Sequence, residues 1–147
     1  MIPLLVVLTP FLLIILFVAV KMKHYLDEYI PRRVIVRHEG DGTVLFVETK
    51  KKNIRITVKD FRRAQPNEVL EVRVNGLAFG RYRLGEYRGA YGYVESYAIS
   101  NSGLLIEDAD GKRYYLAFDN IHEAVDAMMD DNKKEKVIEV RRFHHSK

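Results

Sequence analysis

Between residues 2 and 20 the chain carries no charged side chain, and only Pro3, Thr9 and Pro10 interrupt the aliphatic and aromatic run. At ~1.5 Å of rise per residue, such a helix covers most of a hydrocarbon core ~30 Å thick. The pattern predicts a single transmembrane helix with a bend near Pro10, whose freed carbonyl a hydroxyl or a neighbouring helix can satisfy in a bilayer. A cleaved secretory leader is the rival reading. No Lys or Arg precedes the run, however, and Phe17-Val18-Ala19-Val20 offers no pair of small residues for cleavage. Past Lys21, apolar positions continue at helical spacing through Met22, Tyr25, Leu26, Tyr29 and Ile30, until Pro31 stops them. Residues 1–31 are therefore expected to form the membrane helix and a juxtamembrane extension. Tyr25 and Tyr29 suit either the lipid–water boundary or packing on the domain.

From residue 32 the hydrophobic period shortens from helix to strand. Val34, Val36 and His38 alternate, Glu39-Gly40-Asp41-Gly42 supplies a turn, and Val44-Leu45-Phe46-Val47 follows, which reads as a hairpin. Asn53-Ile54-Arg55-Ile56-Thr57-Val58 and Leu70-Glu71-Val72-Arg73-Val74 alternate as well, the second ending at an expected Asn75-Gly76 turn. Glycines at 76, 80, 85, 89 and 92 are interleaved with tyrosines at 82, 87, 91 and 93. Further strands follow over residues 94–99, 104–106 and 113–118, separated by Asn101-Ser102-Gly103 and Asp108-Ala109-Asp110-Gly111. Short strands at this even spacing predict a mainly β domain over residues 32–130, its sheet folded on itself as a barrel or sandwich. Asn120 with Glu123 marks the start of one helix, whose Ile121, Ala124, Val125 and Met128 share a face and should cover an open end of the barrel. Residues 131–147 read as a polar, basic tail ending in Arg141, Arg142, His144 and His145, in which the sequence leaves open whether Val137, Ile138 and Val140 add a strand.

Val74-Asn75-Gly76, Gly80, Leu84-Gly85 and Tyr87, followed by Ser96-Tyr97-Ala98-Ile99, resemble the Gly-rich crossing and next strand of the pleckstrin-homology-like domains of small bacterial and archaeal membrane proteins. Gly103-Leu104-Leu105-Ile106, Asp110 to Leu116, and Asp119-Asn120-Ile121-His122-Glu123 resemble that family's closing hairpin and helix start. The resemblance covers roughly residues 33–130 and implies a bent barrel of about seven strands capped by a C-terminal helix. Members often carry two membrane helices where this chain has one. The shared motifs are turn and packing residues, so the resemblance implies no catalytic set.

Composition narrows the chemistry. The absence of cysteine excludes disulfides, thiolate metal sites and a cysteine nucleophile. His122-Glu123-Ala124-Val125-Asp126 begins like a zinc-protease helix but places Asp126 where the second histidine belongs. Asp108 and Asp110 before Gly111 match a calcium loop poorly, because Ile106 and Ala117 fall on ligand positions, and a hairpin turn accounts for them. Neither a phosphate-binding Gly-rich fingerprint nor a Gly-x-Ser-x-Gly elbow is present. No catalytic, cofactor-binding or metal residues are assigned, and no cofactor is expected.

A net charge of +4 and an isoelectric point near 9.2 favour an anionic partner. Lys50, Lys51, Lys52, Arg55, Lys59, Arg62 and Arg63, with Lys21 and Lys23 beside the membrane helix, are the candidate contacts for an anionic surface; a solvated rim is the plainer reading of the same run. The excess of Lys and Arg after the helix places the domain on the cytoplasmic side of a cell membrane. The expected function is a single-pass, non-enzymatic interaction module that binds a protein partner or the anionic bilayer surface. A lipid-modifying enzyme and a structural subunit of a membrane complex are the alternatives. Nucleic acid fits less well, since no aromatic platform accompanies the basic run.

Overall fold

A computed structural model describes residues 3–40, 42–130 and 134–141. Ile2, Asp41 and the tail residues Arg142, His144 and His145 lie outside the described residues. The apolar run and its extension form one helix, α1 (Pro3–Tyr29), which stays helical through Pro10. Pro31 follows it, as expected of a residue that cannot continue a helix.

Strands β1 (Arg33–Glu39), β2 (Gly42–Glu48) and β3 (Asn53–Ala64) form an antiparallel meander. A short helix α2 (Pro66–Val69) leads to a second meander of β4 (Val72–Phe79), β5 (Tyr82–Gly89) and β6 (Gly92–Ala98). Strands β7 (Gly103–Asp108) and β8 (Arg113–Ala117) form a hairpin, α3 (Ile121–Met129) follows, and β9 (Glu135–Glu139) closes the described chain. The open question of the tail is thereby answered: Val137 and Ile138 lie in β9, which pairs antiparallel with β1 from Arg33↔Glu139 to Arg37↔Glu135.

The fold is mainly β, but the expected closed barrel of about seven strands is not formed. Among the described residues, nine strands make one sheet in the order β4-β5-β6-β8-β7-β3-β2-β1-β9, in which only β6 and β8 run parallel. Closure fails for a physical reason: β9 occupies the outer side of β1, and the base of α1 packs on β4, β5 and β6, so the two edge strands never pair. The sheet nevertheless curls. The long β3 pairs with β2 over residues 53–58 and with β7 over residues 58–64, and its register shifts between Val58 and Asp60. Such a bulge bends a strand and lets it serve two parts of a sheet.

The curl puts Val34, Val36, Leu45, Val47 and Ile56 of the first meander in one buried cluster with Leu84, Tyr97, Leu104, Ile106 and Leu116. Helix α3 adds Ile121, Ala124 and Met128 to it. A second cluster on the other face joins Val69 and Leu70 to Tyr87, Val94, Leu105 and Tyr115, whose hydroxyl donates to the Ala64 carbonyl at 2.8 Å.

Two local expectations are corrected. Asn75-Gly76 is no turn: β4 continues through it past a bulge between Arg73 and Asn75, Gly76 faces Gly85, and the chain reverses instead at Gly80, which has φ +57°. A Cβ at Gly76 would stand 2.3 Å from the Leu84 carbonyl oxygen, so the glycine serves close strand approach. Asn120 precedes α3 but its side chain makes no cap bond. It donates instead to Glu123 Oε2 and the Glu139 carbonyl, each at 2.9 Å, and accepts the Arg141 N–H, fastening the chain beyond β9 to the start of α3.

Candidate membrane-contact site

The residues of α1 divide into two classes. At Leu4 and from Val6 to Val20 the large apolar side chains are exposed, Leu8 least at 43% and Leu4 most at 72%. One stretch of this helix, Val6–Tyr29, is long and apolar enough to cross a membrane. Beyond it the character changes, because Tyr25, Leu26 and Tyr29 pack against the main cluster and Ile30 is buried in it. The membrane-type segment and the domain are thus joined by packed helix rather than by a linker.

The joint is polar as well as apolar. The Tyr29 ring lies 5.2 Å from that of Tyr97, and Tyr97 lies 6.5 Å from Tyr114. Lys52 places its ammonium 4.1 Å over the Tyr29 ring and 3.4 Å from Glu95 Oε1. Glu95 also accepts the Tyr97 hydroxyl and pairs with Lys112 at 2.9 Å. Burial alone would raise the Glu95 carboxyl; the hydrogen bonds from Lys112 and Tyr97 and the charges of Lys112 and Lys52 outweigh it and hold the group below its ordinary range. Burial and the Glu95 charge together push the Tyr97 phenol far up, so it remains a donor. Tyr25 donates its hydroxyl to Asn75 Oδ1 on β4, adding a bond from helix to sheet edge.

The basic residues singled out in the sequence do not form one patch. Lys23 pairs with Asp27 at 2.9 Å, Lys50 lies 3.9 Å from the same carboxylate, and the Lys51 N–H donates to the Asp27 carbonyl at 3.2 Å. With the exposed Lys21, these form a collar at the foot of the apolar run. Lys52 faces inward to Glu95. Arg55 pairs with Glu39 at 3.2 Å and Lys59 with Glu107 at 3.8 Å on the body of β3. Arg62 sits 5.2 Å over the Tyr91 ring, and Arg63 borders a recess with Gln65 and Glu68. At ~3.3 Å per residue, up to about 35 Å of extended strand separates Lys52 from Arg63, several Debye lengths of ~8 Å.

The sequence reading missed a groove beside the collar. It has a volume of about 500 Å³ and lies between α1 and the β4–β5 hairpin. Met22, Leu26 and Ile30 form one wall, Leu77, Phe79 and Tyr82 the other, and Asp27 and Arg32 supply its polar groups. Phe79, at the hairpin tip opposite Tyr82, is 69% exposed. Arg83 braces the tip by donating to the carbonyls of Gly80 and Tyr82. The available signal was the alternation Leu77-Ala78-Phe79 running up to Gly80, which the assumed turn at Asn75-Gly76 hid.

Among the described residues, no three His, Asp or Glu side chains gather as a metal site. Glu123 is engaged by Asn120 and lies 3.7 Å from Arg141, and Asp108 accepts the Asp110 and Thr57 N–H groups within the β7–β8 turn region. No protein-family model, curated protein or solved structure matches the chain.

Proposed function

We propose that this chain is a single-pass, membrane-anchored interaction module without a catalytic role, its sheet held directly against one bilayer surface. The observation that supports this best is the division of α1: apolar residues exposed as far as Val20, then Tyr25 to Ile30 committed to the domain core. Exposed apolar area of this extent is stable only when something apolar covers it, and a bilayer does so for a helix of this length. The collar of Lys21, Lys23, Lys50 and Lys51 keeps a net positive charge after Asp27, which pairs with Lys23 and Lys50, and so suits anionic head groups, each unpaired cation within a Debye length adding about 1 kcal/mol. The likeness to pleckstrin-homology-like domains belongs to the same proposal, as an antiparallel meander followed by a closing helix rather than as a closed barrel. The cation excess after the apolar run favours a cytoplasmic domain.

A protein partner has its own support. Strand β4 is a sheet edge, and its Val72 and Val74 are 48% and 47% exposed, which suits addition of a partner's strand.

Expressed at its full 17.1 kDa, the chain should remain in the membrane pellet after alkaline carbonate extraction, with its intact mass unshortened. Release into the supernatant, or a mass reduced by the first twenty or so residues, would refute the anchor. Changing Lys50 and Lys51 to Ala should weaken sedimentation of a chain lacking the apolar run with phosphatidylglycerol vesicles and leave zwitterionic vesicles unaffected. Equal binding to both would remove the head-group role.

A further inference from the structure

We infer that the chain's own C-terminal segment closes the groove between α1 and the β4–β5 hairpin, with Phe143 entering the apolar slot and Arg142 meeting Asp119. This does not depend on the membrane anchor, since it concerns the domain end of α1.

The first argument is where the segment begins. Val140, just past β9, donates its N–H to the Arg32 carbonyl at 3.0 Å, and Arg32 lines the groove. Arg141 donates its N–H to Asn120 Oδ1, one residue along from Asp119. Asp119 accepts Arg81 at 3.2 Å, and Arg81 lies in the turn between Phe79 and Tyr82, two further lining residues. Arg141 is thus tied to the Arg32 side of the groove and, through Asn120 and Asp119, to the hairpin tip. Phe143 follows two residues later, within about 7 Å of extended chain.

The second argument is what the groove lacks. Its walls are apolar, yet Phe79 is 69% exposed. The Arg32 guanidinium has no carboxylate partner among the described residues. Oδ2 of Asp119 is buried and has no hydrogen-bond partner among them. An aromatic ring suits the walls and offers its face to Arg32, as Phe46 does to Arg37 at 4.8 Å. A guanidinium beside that ring supplies the donor the buried carboxylate oxygen needs. Arg142-Phe143 carries both groups at the point where Arg141 leaves Asn120. A free ligand bearing the same two groups loses its translational freedom on binding, whereas a segment tethered two residues away binds at high effective concentration.

The chain has no tryptophan, so one introduced residue reports alone. With the full chain in phosphatidylcholine vesicles, Phe143→Trp should emit at blue-shifted wavelength and be quenched by acrylamide severalfold less than Ser146→Trp. Adding Phe79→Ser, a change at an exposed side chain, should shift the emission to the red and restore quenching while circular dichroism stays unchanged. Adding Arg142→Ala instead should act in the same direction. A tryptophan at 143 as accessible as the one at 146 overturns the inference. So does a protected one that is indifferent to Phe79→Ser, because it is buried somewhere other than the groove. Quenching of Phe143→Trp by brominated lipid would place the ring in the bilayer, and a blue shift lost on dilution into excess lipid would mean that a second copy's segment fills the groove. Both results are contrary. Carbonate extraction reads the anchor separately, so failure of either proposal leaves the other to stand on its own result.

Discussion

Glu95 is the residue on which the joint between helix and sheet turns. Its carboxylate, 16% exposed, answers two lysines and a phenol that would otherwise face one another without a counter-charge. Glu95→Gln is expected to cost about 1–2 kcal/mol, the upper end being restrained because Lys112 is largely exposed and can turn to water. The pH dependence has a definite sign. The folded carboxyl titrates below its ordinary value of 4.5, so its contribution is complete above that value and is lost as pH falls through the folded pKa. Urea unfolding of the full chain in detergent should therefore show the gap between wild type and Glu95→Gln narrowing in acid. A gap that widens below pH 4.5 would contradict this account. Gly85 offers a second check: with φ +110° and a Cβ that would lie 2.5 Å from the Asn75 carbonyl oxygen, Gly85→Ala should lose about 2–4 kcal/mol. Gly40→Ala, at φ +57° in open space, should lose only about 1 kcal/mol. The sequence marked these glycines as structurally special, but it could not separate a turn glycine from one that lets two strands touch. That depends on which residue lies across the ladder.

At the scale of elements, α1 is an exposed apolar piece and a packed piece in one helix. Deleting residues 1–20 should yield a domain that stays folded and no longer requires detergent, since among the described residues no side chain from Leu4 to Val20 enters the core. Deleting through residue 30 removes Tyr25, Leu26, Tyr29 and Ile30 and should cost about 3–6 kcal/mol, visible as a lower urea midpoint or as failure to fold. Ending the chain at residue 130 removes β9 with buried Ile138, and with it the Glu139 carbonyl and the Arg141 N–H that hold Asn120. It should cost at least about 2 kcal/mol and leave β1 as an open edge prone to self-association, measurable by sedimentation velocity. Elements with strict alternation or helical spacing were legible in the chain itself: the first hairpin, the beginning of β3, the β7–β8 hairpin and α3. The extension of β3 to Ala64 was not, because Lys59, Asp60, Arg62 and Arg63 hide the strand under charge and a bulge breaks the alternation. Closure into a barrel was also beyond reach. It is settled by which strand pairs last, and β9 came from a segment with too few apolar residues to declare itself.

Across the whole molecule, the charge pattern legible in the sequence separates in space. The residues 21–63 that seemed one basic surface divide into a collar at the foot of α1 and cations on β3 that already face acids or a tyrosine ring. Orientation can be tested without disturbing either group. The chain has no cysteine, and Ser102 is exposed between β6 and β7, so Ser102→Cys supplies a single thiol. An impermeant maleimide should label it only after the cells are opened; labelling of intact cells would place the domain outside. The tight joint at Tyr29 and Ile30 has one more consequence. Only Ile30, Pro31 and Arg32 separate a long helix from β1, and both ends of that step are fixed. If α1 spans the bilayer, the two move as one rigid lever: a helix that tilts to fit a thinner membrane swings the whole sheet with it, and the angle presented to any partner at the β4 edge follows membrane thickness.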